Sequence, residues 1–540
     1  MLVQLQPMSA TPLISARHRF NGVLIFAAWF LCLQATTVFS ATWFVATNGI
    51  DTNTGTNTSP FTTIMRAQTA ASSGDTVYLR GGTYFLNNSN LTATNSPWAI
   101  VNNITKSGIS YLAYPGELPV FDFTSVKPEI LASNRVTAFH VTANNCVFKG
   151  FDVVGVQVTI AGAHTQSENF RVDGGSNNRF EQLRMHDGMG NGWYLTSGAS
   201  NLVLNCDAYN NRGLDSGSLG NTDGFGCHPN SASGKGNLIR GCRAWFNSDD
   251  GYDCINASAS VTFDHCWAFY NGYFTNFNSS TGDGNGVKGG GYGLNGTNKT
   301  SGNPPPVIPR HLIQFCLAVH NRANGIYANH HMGGNDWFNN TSYRNATDYN
   351  MVCALADNLT DVPGYGHVMK NNLGYNGGTE VKNLDLVQSD VNYNSFTLPV
   401  TVAADDFVSL DESLLTAPRL TNGDLPWINF ARLTNTSGCI NVGTNLGFPF
   451  YGSAPDLGAF EFGPTNAPSP TIAKLGTNLI FTASGWANQT NYLMASTNLT
   501  RMFSQWTFLA TNKSDLAGNC LFTNPIPVGV ASQFYRISLP

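Results

Sequence analysis

At 540 residues the chain has room for one large domain and a smaller one. Lys and Arg number 28 against 33 Asp and Glu, a net charge of −5, and no basic block or basic-aromatic stripe occurs, which excludes nucleic acid as a partner. The 55 glycines scattered between short apolar runs, with 34 Phe, 19 Tyr and 10 Trp to fill a core, exclude disorder and mark a turn-rich, all-β chain.

Residues 1–40 read as an export signal. Arg17 and Arg19 precede an apolar run from Val23 to Leu33, and small residues follow around Ser40 and Ala41. Gln34 interrupts the run, which is short for a membrane anchor. The mature chain is therefore expected to be secreted, extracellular or at the cell surface (the periplasm being the alternative), without a membrane span, and to act as a monomer. Next, Pro60–Ser73 reads as a short helix that caps the open end of a solenoid, and Asp75–Tyr84 as its first coil.

Internal repeats then decide the fold. Cys206, Cys242, Cys266 and Cys316 each end a similar strand-like phrase, such as Asn201–Cys206 and Asn237–Cys242. The shared phrase predicts a stacked interior column of reduced thiols, not disulfides, although the chain has 11 cysteines. Five residues after each comes an asparagine, at Asn211, Asn247, Asn271 and Asn321, and Asn345 continues the series. These are expected at tight bends, where asparagine tolerates left-handed backbone and its amide bonds to neighbours above and below.

A second phrase follows each bend, beginning at Asn191, Asp223, Asp250, Asn285 and Asn324. Its first residue is Asn or Asp, its second Gly and its third apolar. Strand alternation turns the third and fifth residues inward, as with Phe225 and Cys227 or Tyr252 and Cys254, and turns Tyr194, Gly226, Asp253, Lys288 and Tyr327 outward in one column. Hairpin turns would explain the Asx-Gly pairs but not their similar offset from the cysteine phrase. The prediction is a parallel β-helix over 41–463. Residues 464–470 read as a linker, and 471–540 alternate apolar and polar residues as a small β-sandwich-like domain does.

Alignment of the second phrase gathers chemistry on one face. Asp223 and Asp250 share a column in neighbouring coils, about 4.8 Å apart; Asp249 adjoins Asp250, and Asp253 projects outward from the same coil. Carboxylates this close repel unless a cation lies between them, and a set of oxygens alone favours Ca²⁺ over Zn²⁺. The plain alternative is a turn of solvated acids. Lys288 stands one coil on in Asp253's column. It is either a salt-bridge partner or a general base, and an amine there would suit removal of the C5 proton of a uronate whose carboxylate is bound to the metal. Arg322 and Arg344 flank the ladder asparagines and are candidates to pair substrate carboxylates.

The segments Asn221–Gly226, Gly241–Asp253 and Gly284–Gly290 resemble the signature segments of the ninth family of polysaccharide lyases, and Ala46–Asp51 and Pro455–Glu461 are similar as well. The resemblance covers roughly 42–463. It implies a right-handed parallel β-helix of about ten coils with an asparagine ladder, Ca²⁺ held by Asp223, Asp249, Asp250 and Asp253, and Lys288 as the base of a β-elimination on pectate or a related acidic, uronate-containing polysaccharide such as rhamnogalacturonan. Val287, Gly289, His228, His330 and His331 depart from that family's pattern, which bears on substrate identity. Two rivals remain at this level. One is a β-helical glycoside hydrolase working through paired carboxylates; the other is a non-catalytic glycan-binding surface protein.

Overall fold

The computed structural model describes residues 40–540 apart from 96–97, 129–134, 159–165, 214–220, 281, 293–303, 356–359, 449, 464–470, 485–489, 499–505, 516–518, 528, 531–532 and 539–540. The export signal, but for Ser40, and the linker therefore lie outside the described residues. Among those described, no helix is long and apolar enough to cross a membrane.

Residues 40–445 and 452–462 form one compact unit, a right-handed parallel β-helix walled by three sheets of 12, 10 and 11 strands. Each coil visits the sheets in turn. One coil runs Asn237–Arg240, Arg243–Trp245 and Tyr252–Asp253, and the next Val261–Asp264, Trp267–Phe269 and Val287–Lys288, paired in register throughout. The inward parity holds: Trp193, Leu195, Phe225, Cys227, Tyr252, Cys254, Val287, Ile326 and Ala328 all belong to the one continuous core. Like residues stack on like from coil to coil, as in Tyr111–Phe148–Phe180, whose ring centroids lie 5.3 and 5.1 Å apart. Thr63 caps the helix Ile64–Ala70 by accepting the Arg66 N–H at 3.1 Å, and Ile64 and Ala67 are buried in the core.

The corners show what the recurring residues do. Cys206, Cys242, Cys266 and Cys316 are buried, unbridged and stacked at the corner between the first and second sheets, and the ten described cysteines are all free. The same column continues as Asn340, Asn372 and Asn394, whose amides bond in series at 2.9 and 2.8 Å. At the next corner Asn211, Asn247, Asn271, Asn321 and Asn345 form the predicted ladder, each Nδ2 donating to the next Oδ1 at 3.0–3.1 Å. One expectation needs correcting. The left-handed residue is not the ladder asparagine but the one before it: Asn210, Phe246, Tyr270, His320 and Arg344, at φ 49–59°. The asparagines are therefore placed by their amides, which satisfy buried backbone groups, and not by a tolerance for left-handed geometry.

Residues 404–445 and 452–462 wrap the outer face of the second sheet, where Leu415, Phe430, Leu433 and Leu457 cluster with Phe269, Val319 and Tyr343. A second compact unit contains 463–540. Its strands form two three-stranded antiparallel sheets sharing a small core that includes Leu479, Phe481, Leu493 and Phe522.

Candidate active site

The phrase that begins with Asn or Asp is a second ladder, running up the edge of the third sheet. Asn191 Oδ1 accepts the Asp223 N–H at 2.5 Å, Asp223 Oδ1 that of Asp250 at 3.1 Å, Asp250 Oδ1 that of Asn285 at 2.6 Å, and Asn285 Oδ1 that of Asn324 at 3.3 Å. One side-chain oxygen per coil thus serves the backbone. Where the rung is an asparagine the remaining group is an amide; at Asp223 and Asp250 it is a second carboxylate oxygen.

The invariant glycine that follows has a steric cause. A Cβ at Gly251 would lie 2.7 Å from the Gly286 carbonyl oxygen and 2.8 Å from the Asn271 amide, and Gly224 and Gly286 are equally confined. This closeness lets the Asx ladder and the asparagine ladder run side by side.

Asp223, Asp250 and Asp253 bring carboxylate oxygens within 4.8 Å of one another, and Asp249, Asp250 and Asp283 do the same, with Asp250 common to both groups. Asp249 is held by two backbone amides: Oδ2 accepts from Asn221 at 2.7 Å and Oδ1 from Asp283 at 2.5 Å. Asp253 Oδ1 accepts from the Ile255 N–H at 2.7 Å. Lys288 Nζ lies 3.1 Å from Asp250 Oδ2, 3.3 Å from Asp253 Oδ2 and 3.5 Å from Asp283 Oδ2. The predicted outward column is observed in register, Tyr194, Gly226, Asp253, Lys288 and Tyr327 lying on successive strands.

Burial governs the electrostatics. Burial and the neighbouring carboxylates push Asp223 well above the usual carboxylate range; burial does the same to Asp250 and brings Asp249 up to about 6. Burial works against the charge of Lys288 too, but Asp250, Asp253, Asp249 and Asp283 outweigh it and raise its pKa well above a lysine's usual value. The carboxylates by themselves thus favour the ammonium form. Three features fit a hard divalent cation at this place: an all-oxygen donor set, carboxylates driven toward protonation by burial and by one another, and a buried Asp250 Oδ2 that has the Lys288 ammonium beside it but no hydrogen bond of its own.

Asp283 escaped the sequence reading because it lies outside the repeating phrase, in the insertion that follows Asn271; its flanking glycines, Gly282 and Gly284, were the available signal. The two arginines are placed differently. Arg322 packs against Gly272 and Gly284 and donates to the carbonyl oxygens of Gly282 and Asp283, so it braces the loop that carries Asp283. Arg344 pairs with Glu412 at 3.0 Å, beside His320, at a corner of the second sheet. The structure thus brings Arg322 to the edge of the aspartate cluster and engages Arg344 elsewhere. His228 packs on Tyr194 over the small Gly226, and its Nδ1 donates to the Ile255 carbonyl oxygen 2.7 Å away.

Residues 43–372 match the model of the Pel9A-like right-handed β-helix region. Pectate lyase L of Dickeya chrysanthemi is 34% identical over 425 residues, 78% of this chain and 90% of that protein. Pectate lyase L of Paenibacillus polymyxa is 30% identical over 404 residues, 71% of this chain and 79% of that protein. Among solved structures, a rhamnogalacturonan lyase has 43% identity and a TM-score of 0.70 over 73% of this chain and 96% of that one. Pectate lyase Pel9A has 31% identity and a TM-score of 0.63 over 79% of this chain and 97% of that one. The repeating coils, the ladders and these matches lead to one assignment: the chain belongs to the ninth family of polysaccharide lyases, the Pel9A-like β-helix enzymes.

Proposed function

We propose that the enzyme is a secreted, calcium-dependent lyase that cleaves a galacturonate-containing backbone by β-elimination. The observation that carries the reading is Lys288 within 3.5 Å of three carboxylates in a strand register that holds it one coil from Asp253. Asp223, Asp249, Asp250 and Asp253 would hold Ca²⁺, with Asp283 beside them. Bound there, the ion would neutralise the substrate's uronate carboxylate and so favour loss of the adjacent C5 proton. Lys288 takes that proton. Balanced by a divalent cation, the aspartates no longer favour the ammonium, and burial then works toward the neutral amine. The ladder bonds to Asp223 and Asp250 keep the oxygens in place without reorganisation, and the extended strand keeps Lys288 facing them. A role for Arg322 and Arg344 in binding substrate carboxylates is part of the proposal. Its stronger member is Arg322, which already braces the Asp283 loop.

The polymer is argued from likeness. Pectate lyases lie at 30–34% identity and a rhamnogalacturonan lyase at 43%. We favour rhamnogalacturonan, with polygalacturonate second. The test is the ultraviolet absorbance of the unsaturated uronide formed on each polymer, with and without chelator. Absorbance that appears on one of these polymers and vanishes with chelator is the expected result. Chain shortening without absorbance would identify a hydrolase and end the proposal.

A further inference from the structure

One coil beyond Lys288, the same outward column presents Tyr327, paired in register with the lysine. Its hydroxyl lies 3.0 Å from His330 Nε2, and His330 Nδ1 lies 2.7 Å from Asp361 Oδ1. The catalytic proposal above makes no use of this chain of three. The backbone that positions it is strained: Asn329 and His330 are both left-handed, at φ 53° and 58°, the one place among the described residues where two consecutive non-glycine residues are. Left-handed backbone is unfavourable for residues that carry a Cβ and persists where the surroundings require it. The result is an imidazole turned back over its own strand to meet the tyrosine three residues earlier.

We infer that Tyr327 is the proton donor to the departing glycosidic oxygen, with His330 as its proton relay and Asp361 as the group that orients the imidazole. This rests on the lyase reading with Lys288 as base. The C5 proton passes to Lys288 Nζ, and its electron pair forms the C4–C5 double bond. The C4–O4 bond breaks with its pair on O4, and O4 takes the phenolic proton of Tyr327. The phenolate recovers a proton from solvent by way of His330 Nε2. The hydrogen bonds agree with these roles. Asp361 orients the ring through Nδ1, which leaves Nε2 as the atom that exchanges a proton with the tyrosine oxygen 3.0 Å away. Burial keeps the phenol protonated well above neutral pH, so Tyr327 enters the reaction as an acid.

Elimination and C5 proton exchange, measured together in D₂O, separate donor from base. In Tyr327→Phe, unsaturated product should fall about 10²-fold or more, while deuterium still enters C5 of uncleaved polymer, so the ratio of exchange to elimination rises. His330→Gln and Asp361→Asn should raise the same ratio by smaller factors; a merely structural loss would lower both rates and leave the ratio unchanged. If Tyr327→Phe does not fold, judged by circular dichroism, the ratio in His330→Gln decides. Elimination within about threefold of wild type in Tyr327→Phe, well below a positioned acid's usual worth, overturns the inference. So does an equal loss of exchange and elimination. Lys288→Ala is read separately: exchange surviving there refutes the base, not the donor.

Discussion

Asp223 and Asp250 each commit one carboxylate oxygen to the backbone of a neighbouring coil and keep the other for the site. Asp250→Asn preserves the ladder oxygen and removes only the charge facing Lys288. The fold should be retained while calcium affinity falls more than about tenfold, a loss of ~1.4 kcal/mol or more, as read by calorimetry. Lys288→Arg keeps a cation but supplies almost no neutral base at neutral pH, so turnover should drop about 10² to 10⁴-fold with calcium binding intact. Near-normal turnover in that variant would leave Lys288 a charge partner only. At this scale the sequence was legible where a residue repeats: aligning the coils set Asp223, Asp250, Asp253 and Lys288 on one face. It was silent on Asp283, which no repeat contains, and it placed Arg344 by adjacency to a ladder residue when Glu412, 68 positions away, engages its guanidinium.

The ladders behave as elements in their own right. Asn271 Oδ1 accepts both the backbone and side-chain N–H groups of Asn247, and its Nδ2 donates to Asn321 and to the Ala244 carbonyl. Asn271→Ala strands several buried partners, so it should cost at least about 2 kcal/mol, measured as a lowered denaturation midpoint. The ladder's last rung is legible only in the structure. Beyond Asn345, the glycine of the second phrase is replaced by Asp348, whose Oδ1 accepts from the Asn345 backbone and amide at 3.3 and 3.0 Å, as the next asparagine would. Its Oδ2 is buried without a hydrogen-bond partner, and burial raises the carboxyl to about 7. The unfolded chain releases this proton near pH ~3.9. Between these values the folded state holds the extra proton, so Asp348's contribution to stability is present in acid and declines as pH rises from about 4 to about 7. Asp348→Asn, which needs no proton, should lessen that decline, whose upper size is about 4 kcal/mol. Melting temperatures of the two proteins across this range check it.

At the scale of the molecule, the repeat spacing announced a parallel solenoid, since the same short phrase returning at 24 residues has no counterpart in a hairpin fold. What it could not announce was the cover over the second sheet. Residues 404–445 and 452–462 repeat no phrase of the coils, and their partners include Phe269, Val319 and Tyr343 of the second sheet. That cover belongs with the β-helix: Arg419 donates to Asp207 and to the Cys206 carbonyl, and Leu415 and Phe430 are fully buried. The unit containing 463–540 differs, having a core of its own built from Leu479, Phe481, Leu493 and Phe522. Every residue assigned to the chemistry, from Asp223 to Asp361, lies in the first unit. A chain ended at Gly463 should therefore fold cooperatively and turn over soluble polymer within about threefold of the full chain, as expected when a domain carries its own core. A chain ended at Ala403 should not, because it exposes the apolar outer face of the second sheet; it should aggregate or melt at a markedly lower temperature. Equal melting temperatures for the two truncations would show that the cover contributes nothing to the β-helix.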